Sequence, residues 1–417
     1  MIHPLLEAVF NAFDQADMHW CVLRGEADLN APAGDVDLLV ARGDIEPTRQ
    51  VLDELEFVPL PALGRGSHHF FLSYHVPTDQ WISLDIVTEL TYGPYFGVPT
   101  HAEAGCLARH QREGGMFVLT PDDGFWTLLL HCLLDKGAFA AHHAEHLQAL
   151  VDAARPDGPL AQFVNAACPP GWHSDRMMAY VRAGDWVTLT RVASLLAATC
   201  ARRQPFRTWG RIVANRFLRL MEKLLVPVRR RGLTVALLGP DGVGKSTLAA
   251  GLGNSFYFPV RSVYMGLWQR SSARSVWQRL PGLEVAARPF KIWGRYLMAQ
   301  YHRVLGRLVV FDRYVYDATL PPRPPLVTAK RLYFWLLART CPRPDLVLVL
   351  DAPGQVMYER KGESDPASLE AERKHFLALQ QRIPKLQVVD ASRGEDAVRA
   401  DVVNRIWRQQ VAYWREH

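Results

Sequence analysis

Several things that would mark a specialised protein are scarce in this chain. No C-x-x-C pair joins its six cysteines, Cys21, Cys106, Cys132, Cys168, Cys200 and Cys341, which stand far apart. That spacing excludes a zinc ribbon and offers no disulfide framework, so the thiols are expected to be reduced and mostly in the core. No uninterrupted apolar run is long enough to cross a bilayer, and the N-terminus lacks a basic segment followed by an apolar core and a cleavage site. A cytoplasmic location is expected, and membrane contact is not. No internal repeat or low-complexity tract stands out. Charge of one sign forms no block: 48 Lys and Arg against 42 Asp and Glu leave +6. A small positive excess suits phosphate substrates as readily as nucleic acid, and no nucleic-acid partner is expected.

What is present is an ordinary folded composition, 49% hydrophobic and 22% charged over 417 residues, enough for two or three domains. The pattern divides into a small α/β unit over 1–118, a helical connector over 119–230 and a strand–helix unit over 231–417. In the first unit, His3 to Met18 and Asp44 to Phe57 have helical spacing. Trp20 to Leu23, Asp35 to Val40, His69 to Tyr74 and Trp81 to Val87 read as strands. From Pro121 to about Arg202 the strand signal vanishes and apolar residues recur at helical spacing. Arg211 to Val228 reads as a basic amphipathic helix stopped at Pro227. Such a helix either connects two domains or lies on an anionic membrane, and its place between folded units favours the connector. After Gly232, apolar runs at Leu233–Leu238, Val260–Tyr264, Leu308–Phe311, Leu346–Leu350 and Leu386–Val389 imply strands buried on both faces. The expected fold class is therefore α/β, a parallel sheet covered by helices.

The first of those strands runs into Gly239-Pro240-Asp241-Gly242-Val243-Gly244-Lys245-Ser246-Thr247. The pattern G-x-x-x-x-G-K-[ST], with a strand before and a helix after, is a phosphate-binding loop. Its backbone N–H groups converge on one concavity, where a nucleotide's phosphates replace water. Lys245 is expected to reach the β- and γ-phosphates and the Ser246 hydroxyl to ligate Mg²⁺. Another apolar strand ends abruptly in Asp312-Arg313-Tyr314. A carboxylate there can orient Mg²⁺, and the guanidinium can grip an acceptor phosphate bidentately.

These features, with Pro344 to Asp351 leading into Arg360 and Lys361 and with Val388 to Ser392 as a late strand and adenine-side loop, resemble the thymidylate kinase family of P-loop kinases. The resemblance covers roughly Gly232 to the C-terminus. It implies ATP and Mg²⁺ as cofactors, Asp241 facing the acceptor or its sugar, Arg313 on the acceptor phosphate, and Arg360 in a mobile lid. Arg373 and Lys374 read equally well as an exposed charged helix. Between loop and Asp-Arg-Tyr the sequence departs from the family: Trp268 is a candidate wall for the acceptor, and Arg295 a candidate second phosphate clamp. The expected acceptor is a nucleoside monophosphate or a related phosphate monoester, a phosphorylated sugar or lipid precursor included, and a homodimer is left open.

In the first unit, strand alternation puts Asp35 and Asp37 on one face, and Asp85 closes another strand. Two carboxylates so spaced can hold divalent cations against a nucleoside triphosphate. Arg24-Gly25-Glu26, then Asp35-x-Asp37, then Asp85 resemble the polymerase-β-type nucleotidyltransferases, although Glu26 replaces the small hydroxyl residue of that family's turn. His142 and His146, one helical turn apart, lack a visible third ligand, and His68-His69 reads as a strand with a satisfied histidine. The expected activity is ATP-dependent phosphotransfer. The alternatives are metal-dependent nucleotidyl transfer with an accessory kinase-like half, and ATP binding as a regulatory signal.

Overall fold

The computed structural model describes residues 2–24, 29–168, 171–203, 205–266, 281–316, 327–328, 332–333, 341–362 and 364–416. Gly25, Glu26 and Trp268 therefore lie outside the described residues. The chain divides into two compact units, Met1–Leu224 and Leu225–His417.

The first unit is built on a mixed sheet. Its strands are β1 (Trp20–Arg24), β2 (Val36–Val40), β3 (Val58–Pro59), β4 (His68–His75) and β5 (Gln80–Val87). A separate pair is β6 (Thr91–Tyr92) with β7 (Val98–Pro99), and β8 (Gln111–Glu113) and β9 (Met116–Val118) complete the main sheet, whose order is β3-β4-β5-β2-β1-β9-β8. Both faces are covered, as the alternation of side chains shows. Trp20, Val22, Leu38 and Val40 enter one core with Leu6, Phe10 and Leu52 from helices Pro4–Gln15 and Ile45–Glu54. Cys21, Leu23 and Leu39, one residue out of phase, enter the other core with Phe125, Trp126, Leu129 and Leu189. The helices between 121 and 203, read from sequence as part of a connector, thus share a core with the sheet. One of them changes character midway: Pro121–Leu130 is α-helical and His131–Lys136 continues as a π-helix.

The second unit holds five strands, β10 (Thr234–Leu238), β11 (Val260–Tyr264), β12 (Leu308–Asp312), β13 (Leu346–Asp351) and β14 (Leu386–Asp390). All neighbours run parallel in the order β11-β12-β10-β13-β14, the α/β architecture that the continuous apolar runs imply. β10 is central, and all five of its residues are buried. Helices Lys245–Ser255 and Glu395–Glu416 pack against each other. On another side Ile292, Ala299, Phe376 and Leu379 meet Ala236, Val309, Phe311 and Val347.

One boundary departs from expectation. The helix read as stopping at Pro227 runs from Pro205 to Arg229. Proline lacks one N–H, and in the last turn of a 25-residue helix that loses a single internal bond. Among the described residues no helix is long and apolar enough to cross a membrane. None of the six cysteines is disulfide-bonded, and five are buried.

Leu237 is fully buried in the central strand, so Leu237→Ala should cost about 2–5 kcal/mol in denaturant unfolding; a loss under ~1 kcal/mol would show that β10 is not the packed centre. Burial first, then the neighbouring His142 and His131, push the His143 imidazole down to about 4 from 6.5. Between those values the unfolded chain takes up a proton that the folded one refuses, so stability falls as pH drops through that window. His143→Gln should flatten this fall in midpoints measured by circular dichroism, and a superimposable profile would contradict it.

Candidate functional site

Gly239 and Gly242 set the shape of the loop after β10. Gly239 has φ +142 and its missing Cβ would lie 2.8 Å from the Leu350 carbonyl oxygen; Gly242 has φ +87 and its Cβ would lie 2.7 Å from the Met357 oxygen. Only glycine fits both the backbone angles and the close approach. The loop therefore wraps tightly against β13 and helix Gly354–Lys361, then enters helix Lys245–Ser255 directly after Gly244. The first amides of that helix have no intrahelical partners, and the positive end of the helix dipole lies at the loop.

Lys245 is only 7% exposed. A buried ammonium needs partners, and Lys245 Nζ donates to the Gly239 and Pro240 carbonyl oxygens, each at 2.7 Å, with Asp241 Oδ1 at 3.8 Å. The lysine is thus folded over its own loop. Ser246 Oγ donates to Asp312 Oδ2 at 3.0 Å, so the first turn of the helix meets the tip of β12. The other oxygen, Asp312 Oδ1, is buried with no hydrogen-bond partner among the described residues. An orphaned buried carboxylate oxygen beside a serine hydroxyl is an all-oxygen donor set, and this fits Mg²⁺, which takes few protein ligands and fills its octahedron with water and phosphate.

Arg313 follows Asp312 with φ +67, an uncommon conformation for a side-chain-bearing residue. It points the guanidinium across to Asp241 of the loop, with Nη2 on Oδ1. Tyr264, at the tip of β11, is in register with Asp312. Arg295 Nη1 donates to the Tyr264 carbonyl at 3.2 Å, and its guanidinium lies 5.9 Å from the Tyr264 ring centroid. Lys245, Ser246, Asp312, Arg313 and Asp241 are brought together, and Arg295 belongs to the neighbouring strand tip.

Arg360 is held elsewhere. Its Nη1 donates to the Ala391 carbonyl at 3.0 Å, and it lines a cavity of about 200 Å³ with Thr247, Leu350, Arg393 and Val398. Arg373 is committed to a fork on Asp351 and to Glu370 Oε1 at 2.8 Å, tying helix Pro366–Ala378 to the end of β13. The Arg360–Ala391 and Arg373–Asp351 contacts join separate elements, so no sequence spacing announces them, whereas Glu370 is an i,i+3 neighbour of Arg373 on one helix.

In the first unit, parallel pairing of β2 with β5 sets Asp37 beside Asp85. Together with exposed Asp35 they line a cavity of about 580 Å³. Asp37 accepts from Arg24 Nε at 2.8 Å, across a β1–β2 register that a bulge shifts between Val22 and Arg24. Asp85 is buried, and burial raises its carboxyl pKa above the ordinary range against the opposing pull of His68, whose Nδ1 lies 2.8 Å away. His68 is thus a satisfied strand histidine. His131 and Asp135 reach the same cavity from the π-helix, an element no sequence period announces. His142 packs its ring 4.1 Å from that of His143. Among the described residues no group of three or more His, Cys, Asp or Glu is arranged to hold a metal ion.

No family model matches the sequence, and no curated protein matches it. Among solved structures the chain is similar to a thymidylate kinase from Candida albicans, at 21% identity and a TM-score of 0.33, over 43% of this chain and 93% of that one.

Proposed function

We propose that the second unit transfers the γ-phosphoryl group of ATP, with Mg²⁺, to a phosphate monoester of the nucleoside monophosphate class. The observation that carries this reading is the convergence of Lys245, the Ser246–Asp312 contact with its orphaned Oδ1, and the Arg313–Asp241 pair at one edge of the parallel sheet. A loop that only gripped nucleotide would not need a guanidinium held opposite it on the next strand.

Bound at the loop, the triphosphate displaces the Gly239 and Pro240 carbonyls as partner of Lys245, whose ammonium then meets the β- and γ-phosphate oxygens. Ser246 and Asp312 would hold Mg²⁺, which would supply neutralisation of the phosphate charge. Arg313 moves from Asp241 to the acceptor phosphate, where its fork fixes one oxygen in line with the γ-phosphorus. That oxygen forms the new O–P bond as the bond to the β–γ bridging oxygen breaks, leaving ADP. A phosphate monoester is largely a dianion at neutral pH, so its oxygen attacks without losing a proton. No general base is required, which leaves Asp312 to the metal. Arg360, on the wall with Ala391 and Val398, is assigned to the donor's base side. For the first unit we extend the nucleotidyltransferase resemblance to fold alone.

With γ-labelled ATP, Mg²⁺ and a panel of nucleoside monophosphates and sugar phosphates, label should pass to one acceptor class. Lys245→Ala should lower that rate about 100- to 1000-fold. Arg313→Gln should act mainly on the acceptor, raising its KM about tenfold or more while the KM for ATP holds. Tight ATP binding without label on any acceptor would overturn phosphotransfer in favour of a regulatory nucleotide site.

A further inference from the structure

Three of the carboxylates in the first unit's cavity, Asp37, Asp85 and Asp135, already have hydrogen-bond partners within the protein. Arg24 places Nε and Nη2 each 2.8 Å from Asp37 Oδ2. His68 Nδ1 lies 2.8 and 3.0 Å from the two oxygens of Asp85. Asp135 accepts from the Gly93 backbone N–H at 2.7 Å and faces His131 Nδ1 at 2.9 Å. A two-metal nucleotidyl site needs the reverse, carboxylates open to the cavity and balanced by incoming divalent cations. Here a fixed guanidinium stands on one of the two central carboxylates and an imidazole on the other. The residues do not fit a metal pair.

The cations of the same cavity are less fully spent. Arg65, Lys136 and Arg219 line it, and none has a carboxylate in ion-pair contact among the described residues. The Arg65 guanidinium lies 5.7 Å from the centroid of the Phe70 ring, and that of Arg219 lies 4.9 Å from Tyr95 and 5.3 Å from Phe96. Arg219 also donates to the Gly64 carbonyl at 2.9 Å, which aims it without cancelling its charge. Its pKa is lowered, first by burial and next by repulsion from Arg65. Two guanidiniums that repel across a cavity are relieved by an anion between them, and planar forks suit phosphate oxygens. Against these three cations, exposed Asp35 is the cavity carboxylate that no ion pair occupies among the described residues.

We propose that this cavity binds a phosphate-bearing small molecule without a divalent metal, Arg24 having taken the place of the cation. A volume of about 580 Å³ falls in the range of small-molecule sites. The proposal is independent of phosphotransfer in the second unit.

The test is calorimetric titration of inorganic pyrophosphate into the full chain carrying Lys245→Ala, which weakens the phosphate loop, in excess EDTA. Binding is expected. It should weaken about tenfold on adding either Arg65→Gln or Arg219→Gln. It should be unchanged by Arg112→Gln, whose guanidinium is committed to Asp14 from edge strand β8. Thermal unfolding checks each variant, and Lys136→Gln, at an exposed position, serves if an arginine variant fails to fold. Adenosine monophosphate and glucose 6-phosphate, titrated in parallel, distinguish a nucleotide, which can add contact with Tyr95 and Phe96, from a sugar phosphate; tighter binding of either supports the proposal. Absence of heat for all three compounds in EDTA would overturn it. So would binding that needs Mg²⁺ and survives Arg65→Gln.

Discussion

The second unit turns on one buried ammonium. Lys245 sits 7% exposed with Nζ on two carbonyls of its own loop. Those bonds satisfy the charge of the buried ammonium. Gly239 and Gly242 make this possible, since a Cβ at either would drive the loop off the carbonyls of Leu350 and Met357. The cradle is therefore preorganised by its packing against β13 and the following helix. On the proposed function, a triphosphate would exchange two carbonyls for phosphate oxygens at the lysine, so little of its binding energy would go into building the site.

The rest of that edge is arranged around the same point. Parallel register puts Asp312 beside the first helical turn on one side and Tyr264 on the other, and Arg313 reaches Asp241 through a left-handed backbone. The first unit solves an opposite electrostatic problem. Its central carboxylates are matched internally by Arg24 and His68, and its spare charge is cationic, stacked on Phe70, Tyr95 and Phe96. One unit offers an orphaned carboxylate oxygen suited to a cation. The other offers guanidiniums suited to an anion.

Much of the fold was legible because its signals are local. Leu308 to Phe311 is apolar without a break since β12 is buried on both faces, and the run ends at Asp312, where the chain reaches the open edge. Trp20 and Val22 go to one core and Cys21 and Leu23 to the other, as period-two alternation requires. The loop was legible because its glycines, lysine and serine are contiguous. What stayed hidden depends on distant pairings. Arg24 finds Asp37 through a bulged antiparallel register, Arg219 reaches the cavity from a helix more than a hundred residues further on, and Lys136 arrives on a π-turn. Arg360 carries the right charge for a lid, yet its direction is set by the Ala391 carbonyl after β14, which no spacing reveals. Pro227 looked like a stop because local propensity says so, but so near the end of helix Pro205–Arg229 its missing N–H loses only one internal bond and the helix runs on.

The central claim is about backbone N–H groups, so it is tested most directly by amide hydrogen exchange with and without a magnesium-bound, non-hydrolysable ATP analogue. The account predicts slowed exchange at Gly242 to Thr247, concentrated at the loop and the first helical turn, and loss of that protection in the Lys245→Ala chain. Unchanged exchange across this segment at saturating analogue, or protection confined to other parts of the chain, would contradict it.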